Sequence, residues 1–143
     1  MGKAREVADS VTSAIVTGDW EALKGLYAPE AVLVDPLAGE VTGDAVIEVF
    51  RSFADAFSEP GFEPIAGHES GNVAVDEGYL IGVNTGQLPL PSGDAAAPTG
   101  RSIRVRSCDV MTVEDGKVVR HNFYYDQLEL LTQLGLVPEG ASV

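Results

Sequence analysis

Two aspartates lie in segments that are otherwise apolar. Asp35 follows the run AVLV, and Asp109 lies within SCDVMTV. An unpartnered buried carboxylate costs several kcal/mol, so each acid must be paired, solvated or protonated. Two such acids in one chain of 143 residues suggest a single apolar cavity that contains an acid/base pair, in which one group removes a proton and the other donates one.

Other kinds of chemistry have no signature in the chain. It contains no GxGxxG, GxxxxGK[ST], HExxH or CxxC motif, and its two histidines, His68 and His121, do not form a metal-ligand pattern. We therefore expect no cofactor and no metal. The single cysteine, Cys108, excludes an internal disulfide, and its place in a predicted strand favours a buried side chain over a nucleophile.

Charge and hydropathy limit the partners that we expect. The formal net charge of −13 disfavours nucleic acid and anionic membranes, because both attract basic surfaces. The longest apolar runs are shorter than a membrane span, and the N-terminus MGKAREVADS is too polar for a secretory signal. The expectation is a cytoplasmic protein that forms one domain over residues 1–143.

Apolar residues at helical spacing predict helices over residues 2–17, from Trp20 to Pro29, and over 44–57. Asp19 is placed to cap the second helix. The third presents Phe50 and Phe53 on one face, which either packs on a sheet or covers a ligand pocket. A short helix is predicted after Asp126, whose capping box includes Glu129 and which ends near Gly135 and Pro138.

Strand patterns predict a short strand over residues 31–35 and further strands near 62–70, 73–85, 101–113 and 117–125. Asp115-Gly116 predicts a hairpin turn, and residues 87–100, with three prolines, predict a long loop. Because side chains alternate along a strand, the residues that share a face with Asp109 are expected to line the cavity, as are three residues of the last strand. These are Val105, Ser107, Met111, His121, Phe123 and Tyr125.

The order of elements predicts an α+β fold. It consists of a curved antiparallel sheet, a cone-shaped half-barrel, closed by three N-terminal helices plus a short C-terminal helix. Such a sheet encloses a conical apolar cavity.

Two stretches resemble a known family. LYAPEAVLVDPLAGEVTGDAVIEVF and CDVMTVEDGKVVRHNFYY are similar to the corresponding segments of the ketosteroid isomerases. The wider group is the nuclear-transport-factor-like superfamily, which includes the SnoaL-like polyketide cyclases, and LELLTQLGLVP resembles the C-terminal sequence of many SnoaL-like chains. This resemblance implies a homodimer and a small, apolar, oxygenated ligand.

The resemblance also implies roles for single residues. Asp35 matches the isomerase general base, and Asp109 matches a protonated aspartic acid that donates a hydrogen bond to the enolate oxygen; both roles are those described for ketosteroid isomerase itself. Phe50 matches a pocket aromatic, and Tyr27 matches a tyrosine behind the site.

The sequence departs from the residue pattern of the ketosteroid isomerases and from that of the polyketide cyclases. Val11 replaces the tyrosine that gives the isomerase its strongest hydrogen bond to the enolate, and Arg51 replaces another tyrosine of that network. Tyr79, Tyr125 and His121 are the candidates for the missing donor. Cyclases of this fold carry His-x-Asp in the last strand, where this chain has His121-Asn122-Phe123.

Three functions follow from these observations. The first is a cofactor-independent acid/base enzyme that acts on a small apolar ketone, as a steroid Δ-isomerase does, with Asp35 as the base and Asp109 as the oxyanion donor. The second is an epoxide hydrolase or a polyketide cyclase. Epoxide opening needs one acid to protonate the epoxide oxygen and one base to activate water, and Arg51 or Arg104 between two carboxylates would support it. The third is a non-catalytic small-molecule-binding module, in which the phenylalanines fill the cavity.

Overall fold

The computed structural model describes residues 3–90 and 92–137. Helix α1 spans Lys3–Thr17 and α2 spans Trp20–Leu26, followed by strands β1, Tyr27–Asp35, and β2, Gly39–Thr42. Helix α3 covers Asp44–Ala56 and leads into β3, Phe57–Ser70, and β4, Val73–Asn84. The loop that follows contains the short strands β5, Leu88–Pro89, and β6, Ala95–Ala96. Strands β7, Ser102–Glu114, and β8, Lys117–Tyr125, precede α4, Gln127–Gln133.

Six strands form one curved sheet in the order β2-β1-β8-β7-β4-β3. The α+β class is confirmed, but the sheet is mixed, because β1 pairs with β8 in parallel and every other neighbour is antiparallel. The parallel pair arises because α3 and the β3–β4–β7 meander separate β1 from β8 along the chain. The sheet does not close into a barrel.

Two strands begin earlier than the sequence patterns predict. β1 starts at Tyr27, so Pro29 lies within the strand and does not end a helix. It coincides with an irregularity between Tyr27 and Val32 in the pairing with β8. β3 starts at Phe57 and includes Pro60 and Pro64. Both prolines are tolerated because β3 is an edge strand with irregular pairing at these positions.

The predicted caps and hairpin are confirmed. Asp19 accepts a hydrogen bond from the Ala22 backbone N–H, and Asp126 accepts from Leu128 and Glu129. Asp115 and Gly116 both have positive φ, as a two-residue hairpin turn requires. The Glu129 side chain does not complete a capping box but pairs with Arg106. Gly135 ends α4 with φ 73°; Pro138 lies outside the described residues.

The core lies between the helices and the concave face of the sheet. Helix α1 buries its small apolar stripe there, and α3 adds Val46 and Phe50. The stripe of α1 consists of Ala4, Val7, Ala8, Val11 and Ala14. Among the described residues, no helix is long and apolar enough to cross a membrane.

Candidate active site

A cavity of about 80 Å³ lies between α1, α3 and the concave face of the sheet, and both aspartates line it. Most of its wall is apolar. Among the predicted site residues, Asp35, Asp109, His121, Phe50, Phe53, Met111 and Phe123 all line this cavity. The structure thus brings together residues from β1, α3, β7 and β8 that are far apart in the chain.

The strand register fixes how the two acids face each other. Asp109 pairs with Phe123 across β7 and β8, and Asp35 follows Val34, which pairs with Asn122 of β8. Phe123 therefore lies between the acids in one row of the concave face. Two interstrand spacings separate their Cα atoms by about 10 Å, so a ligand over the Phe123 ring lies between the two carboxyl groups.

Asp109 belongs to a chain of three hydrogen-bonded side chains. Its Oδ1 atom lies 2.5 Å from Nε2 of His121, and Nδ1 of His121 lies 2.7 Å from the Tyr27 hydroxyl. Burial, together with the nearby charge of Asp109, raises the pKa of Tyr27 well above its ordinary value. The phenol keeps its proton, so Tyr27 can donate to Nδ1 of His121 whenever the imidazole is neutral, and Nε2–H of His121 then donates to Asp109.

Asp35 is held differently. Its Oδ1 atom accepts hydrogen bonds from the backbone N–H groups of Leu37 and Ala38, both at 2.9 Å. These bonds form an Asx turn after the strand end, which is why an aspartate precedes Pro36. Burial raises the pKa of Asp35, although the two backbone hydrogen bonds and His121 oppose that shift. A raised pKa makes this carboxylate a stronger base at neutral pH.

The Tyr125 side chain lies near Asp35, and its hydroxyl group has no hydrogen-bond partner. Its ring contacts Phe53 and Phe123, and its Oη atom is buried without a hydrogen-bond partner. Burial, with a contribution from the charge of Asp35, raises the pKa of Tyr125. The group therefore remains a protonated donor near Asp35. It does not line the cavity in its present packing.

Besides Tyr125, four residues predicted to contact the ligand or line the cavity are not part of its wall: Tyr27, Tyr79, Val105 and Ser107. The Tyr79 ring lies 3.7 Å below the Arg104 guanidinium on the opposite face of the sheet, because β4 directs alternate side chains outward. Ser107 is buried on the concave face, where its hydroxyl lies 3.5 Å from the Gly78 carbonyl oxygen.

The arginines and the cysteine of the sequence-based hypotheses also lie elsewhere. Arg51 is exposed, and its Nη1 atom lies 3.9 Å from Oε1 of Glu48. Arg104 forms an ion pair with Glu63. Neither arginine therefore bridges Asp35 and Asp109. Val11 is fully buried in the core. Burial raises the pKa of the Cys108 thiol, which disfavours the nucleophilic thiolate. Within residues 3–90 and 92–137, no group of three or more His, Cys, Asp or Glu residues could hold a metal ion.

The sequence did not indicate a second compartment. A groove of about 310 Å³ adjoins the cavity and shares Asp35, Val49 and Phe53 with it. Its outer wall comprises residues of the turn after Asp35 and of the loop around β5: Leu37, Ala38, Leu88, Pro89 and Leu90. The leucines and prolines of QLPLP, residues 87–91, were the available signal in the sequence, but a loop sequence does not reveal which helix the loop will contact.

The chain matches a family model described as a SnoaL-like domain over residues 7–121. No match is found among curated proteins.

Solved structures share the fold. A protein from Jannaschia sp. CCS1, provisionally named a SnoaL-like polyketide cyclase, is 17% identical, with TM-score 0.81 and coverage of 95% of this chain and 94% of that one. AclR from Streptomyces galilaeus, provisionally named a hydroxylase, is 18% identical, with TM-score 0.79 and coverage of 94% and 97%. A hypothetical protein with a ketosteroid isomerase-like fold from Catenulispora acidiphila, in complex with trimethylamine, is 19% identical, with TM-score 0.73 and coverage of 92% and 94%.

Proposed function

The chain belongs to the SnoaL-like family, and from that premise we propose that it is a cofactor-independent acid/base enzyme that acts on a small apolar ketone. The observation that carries the proposal is the placement of Asp35 and Asp109 on two sides of one apolar cavity. Asp35 has a raised pKa, as a general base requires, and Asp109 is held in place by His121.

The proposed reaction begins at the carbon next to the carbonyl group. Asp35 takes a proton from that carbon, the C–H bond breaks, and its electron pair moves to the carbonyl oxygen to form an enolate. Asp109, in its protonated form, accepts the Nε2–H of His121 at Oδ1 and donates a hydrogen bond from Oδ2 to the enolate oxygen. Asp35 then returns the proton to a carbon atom, which completes a double-bond shift.

Tyr125 is the best-supported second donor. Tyr79 faces away from the cavity, and both ring nitrogens of His121 already have partners. The Tyr125 hydroxyl is protonated, buried and unpartnered, so a ring rotation that brought it to the cavity would let it donate to a ligand oxygen. Tyr125 would then donate the second hydrogen bond to the enolate oxygen, which Val11 cannot provide.

Ring closure of a polyketide-like chain is a second candidate, because it starts with the same proton removal. The observation that favours it is the pairing of His121 with an aspartate from the neighbouring strand. Cyclases of this fold are expected to carry that aspartate two residues after the histidine, where this chain has Phe123. Asp109 of β7 would supply the carboxylate in its place.

The test uses proton exchange, which does not require the natural product to be known. We would incubate the protein in D₂O with β,γ-unsaturated ketones of increasing size, from 3-cyclohexenone to a steroid ketone. Mass spectrometry would follow deuterium uptake, and ultraviolet absorbance would follow formation of the conjugated enone. We expect exchange that depends on Asp35. Ketones that bind without exchange would indicate a binding module, and hydration of an apolar epoxide would indicate an epoxide hydrolase.

A further inference from the structure

Asp76, which forms an ion pair with Arg5 of α1, lies in the same row of the concave face as the two site aspartates. Asp76 of β4 pairs directly with Asp109 of β7 in the sheet, so their side chains share the concave face. Directly opposed residues have Cβ atoms about 5 Å apart, and two carboxylates at that separation destabilise each other's charge. The charge of Asp76 would therefore favour the protonated form of Asp109, to an extent that depends on how far that charge is compensated.

Arg5 of α1 provides that compensation. Its Nη2 atom lies 2.7 Å from Oδ2 of Asp76, and both side chains are almost buried, with exposed fractions of 12% and 15%. The same guanidinium also contacts the exposed Asp9 at 2.8 Å. Both side chains of the Arg5–Asp76 pair are thus largely removed from solvent, and salt screens such a pair only weakly.

Gly67 of β3 makes room for this pair. It is the neighbour of Asp76 in the sheet, and a Cβ atom at Gly67 would lie 3.1 Å from Nη1 of Arg5 and 3.2 Å from Oδ1 of Asp76. Nη1 of Arg5 is buried against this position without a hydrogen-bond partner. An unsatisfied buried donor carries a desolvation cost, which offsets part of the stabilisation that the ion pair provides.

We propose that Arg5 and Asp76 are positioning residues that fix the local charge next to Asp109 and thereby control the protonation of the Asp109–His121 unit. This inference deepens the proposed function, because that unit provides its hydrogen-bond donor. Among the described residues, the titratable and charged groups near the Asp109–His121 unit and the Arg5 guanidinium are Tyr27 and Asp35 of β1, Asp76 of β4 and Asp9 of α1. Glu69 of β3 accepts a hydrogen bond from the Arg5 backbone N–H.

The test measures titration without a substrate, by NMR of the imidazole ¹⁵N and aspartate carboxyl ¹³C signals between pH 4 and 9. His68 is the only other histidine, so the H68Q variant assigns the His121 signals. Arg5→Met leaves Asp76 unpaired and should raise the titration midpoint of the Asp109–His121 unit by roughly 0.5 on the pH scale. Asp76→Asn leaves the positive charge of Arg5 and should lower the midpoint by a similar amount. The double variant should return to within about 0.2 units of the wild type.

Matched controls separate electrostatics from folding. Lys3→Met removes a cation from the same helix at an exposed position and should leave the midpoint unchanged. Arg5→Lys keeps the charge and should keep the midpoint close to that of the wild type even if stability falls. The proposal is overturned if the two single variants shift the midpoint in the same direction, or if no variant shifts it. Because no turnover is measured, this result is independent of whether the ketone chemistry is correct.

Discussion

Nε2 of His121 lies 2.5 Å from Oδ1 of Asp109, although the strand register sets His121 opposite Met111 and not opposite Asp109. The contact is therefore diagonal across β7 and β8, a separation that long side chains can reach. The diagonal leaves Phe123 opposite Asp109, so the floor between the two acids is an aromatic ring. The same geometry leaves Oδ2 of Asp109 for a ligand.

Asp35→Asn is expected to reduce deuterium exchange into a bound ketone by about 10²–10⁴-fold, because it removes the general base. The asparagine Oδ1 can still accept from Leu37 and Ala38, so the turn should persist. Mass spectrometry of the exchanged ketone measures the loss. Glu40→Gln, an exposed change on neighbouring β2, is the matched control and should retain full exchange. Equal exchange rates in the wild type and Asp35→Asn would refute the assignment.

The pH dependence of stability should identify the same residue. The folded-state pKa of Asp35 is raised above the ordinary value of 3.8, so the folded state binds this proton more tightly than the unfolded state does. The resulting stabilisation is complete below the unfolded pKa and is lost as the pH rises through the folded pKa. Asp35→Asn should therefore be at least as stable as the wild type at pH 7, and its relative advantage should shrink at pH 3. Urea unfolding at both pH values measures this difference.

Tyr27→Phe is expected to lower the free energy of unfolding by about 1–3 kcal/mol, because it leaves Nδ1 of His121 buried without a partner. Chemical denaturation followed by circular dichroism gives the difference. Tyr124→Phe is the matched control: Tyr124 is 54% exposed, so the loss of its hydroxyl should change stability by less than about 0.5 kcal/mol. An equally small effect at Tyr27 would show that the hydrogen bond to His121 does not stabilise the fold.

Tyr125→Phe should separate stability from function. The Tyr125 hydroxyl is buried and unsatisfied, so its removal should leave the free energy of unfolding unchanged or raise it. If Tyr125 donates to the ligand oxygen, the same variant should slow proton exchange by about 10²–10³-fold. Denaturation and exchange measured on one preparation compare the two effects. A stable variant with normal exchange would remove Tyr125 from the site.

Val49→Phe tests whether a ligand spans both compartments. Val49 lines the inner cavity and the outer groove, and a larger side chain there should narrow the passage between them. Exchange of a steroid-sized ketone should fall at least tenfold relative to 3-cyclohexenone, because only the larger ketone needs the groove. Ala45→Ser, a small change on the wall of the outer groove alone, is the control. A uniform effect on both ketones would mean that the groove does not hold ligand.

The amino-acid sequence determined the local features of this protein. Asp19 and Asp126 cap their helices, and Asp115-Gly116 forms its hairpin, because these depend on side chains that bond to neighbouring backbone groups. Strand alternation also placed His121, Phe123 and Met111 on the concave face. Asp35 and Asp109 were recognisable in the sequence because each is an acid in an otherwise apolar strand segment, where most side chains are buried.

Only the tertiary structure decided which of these groups meet. Strand order and register place Phe123 between Asp35 and Asp109, direct Tyr79 away from the cavity, and bring Arg5 to Asp76 over Gly67. These contacts join residues far apart in the chain, and their partners depend on the parallel pairing of β1 with β8 and on the docking of α1 across the sheet. No local pattern encodes such pairings, because they arise from the packing of whole elements.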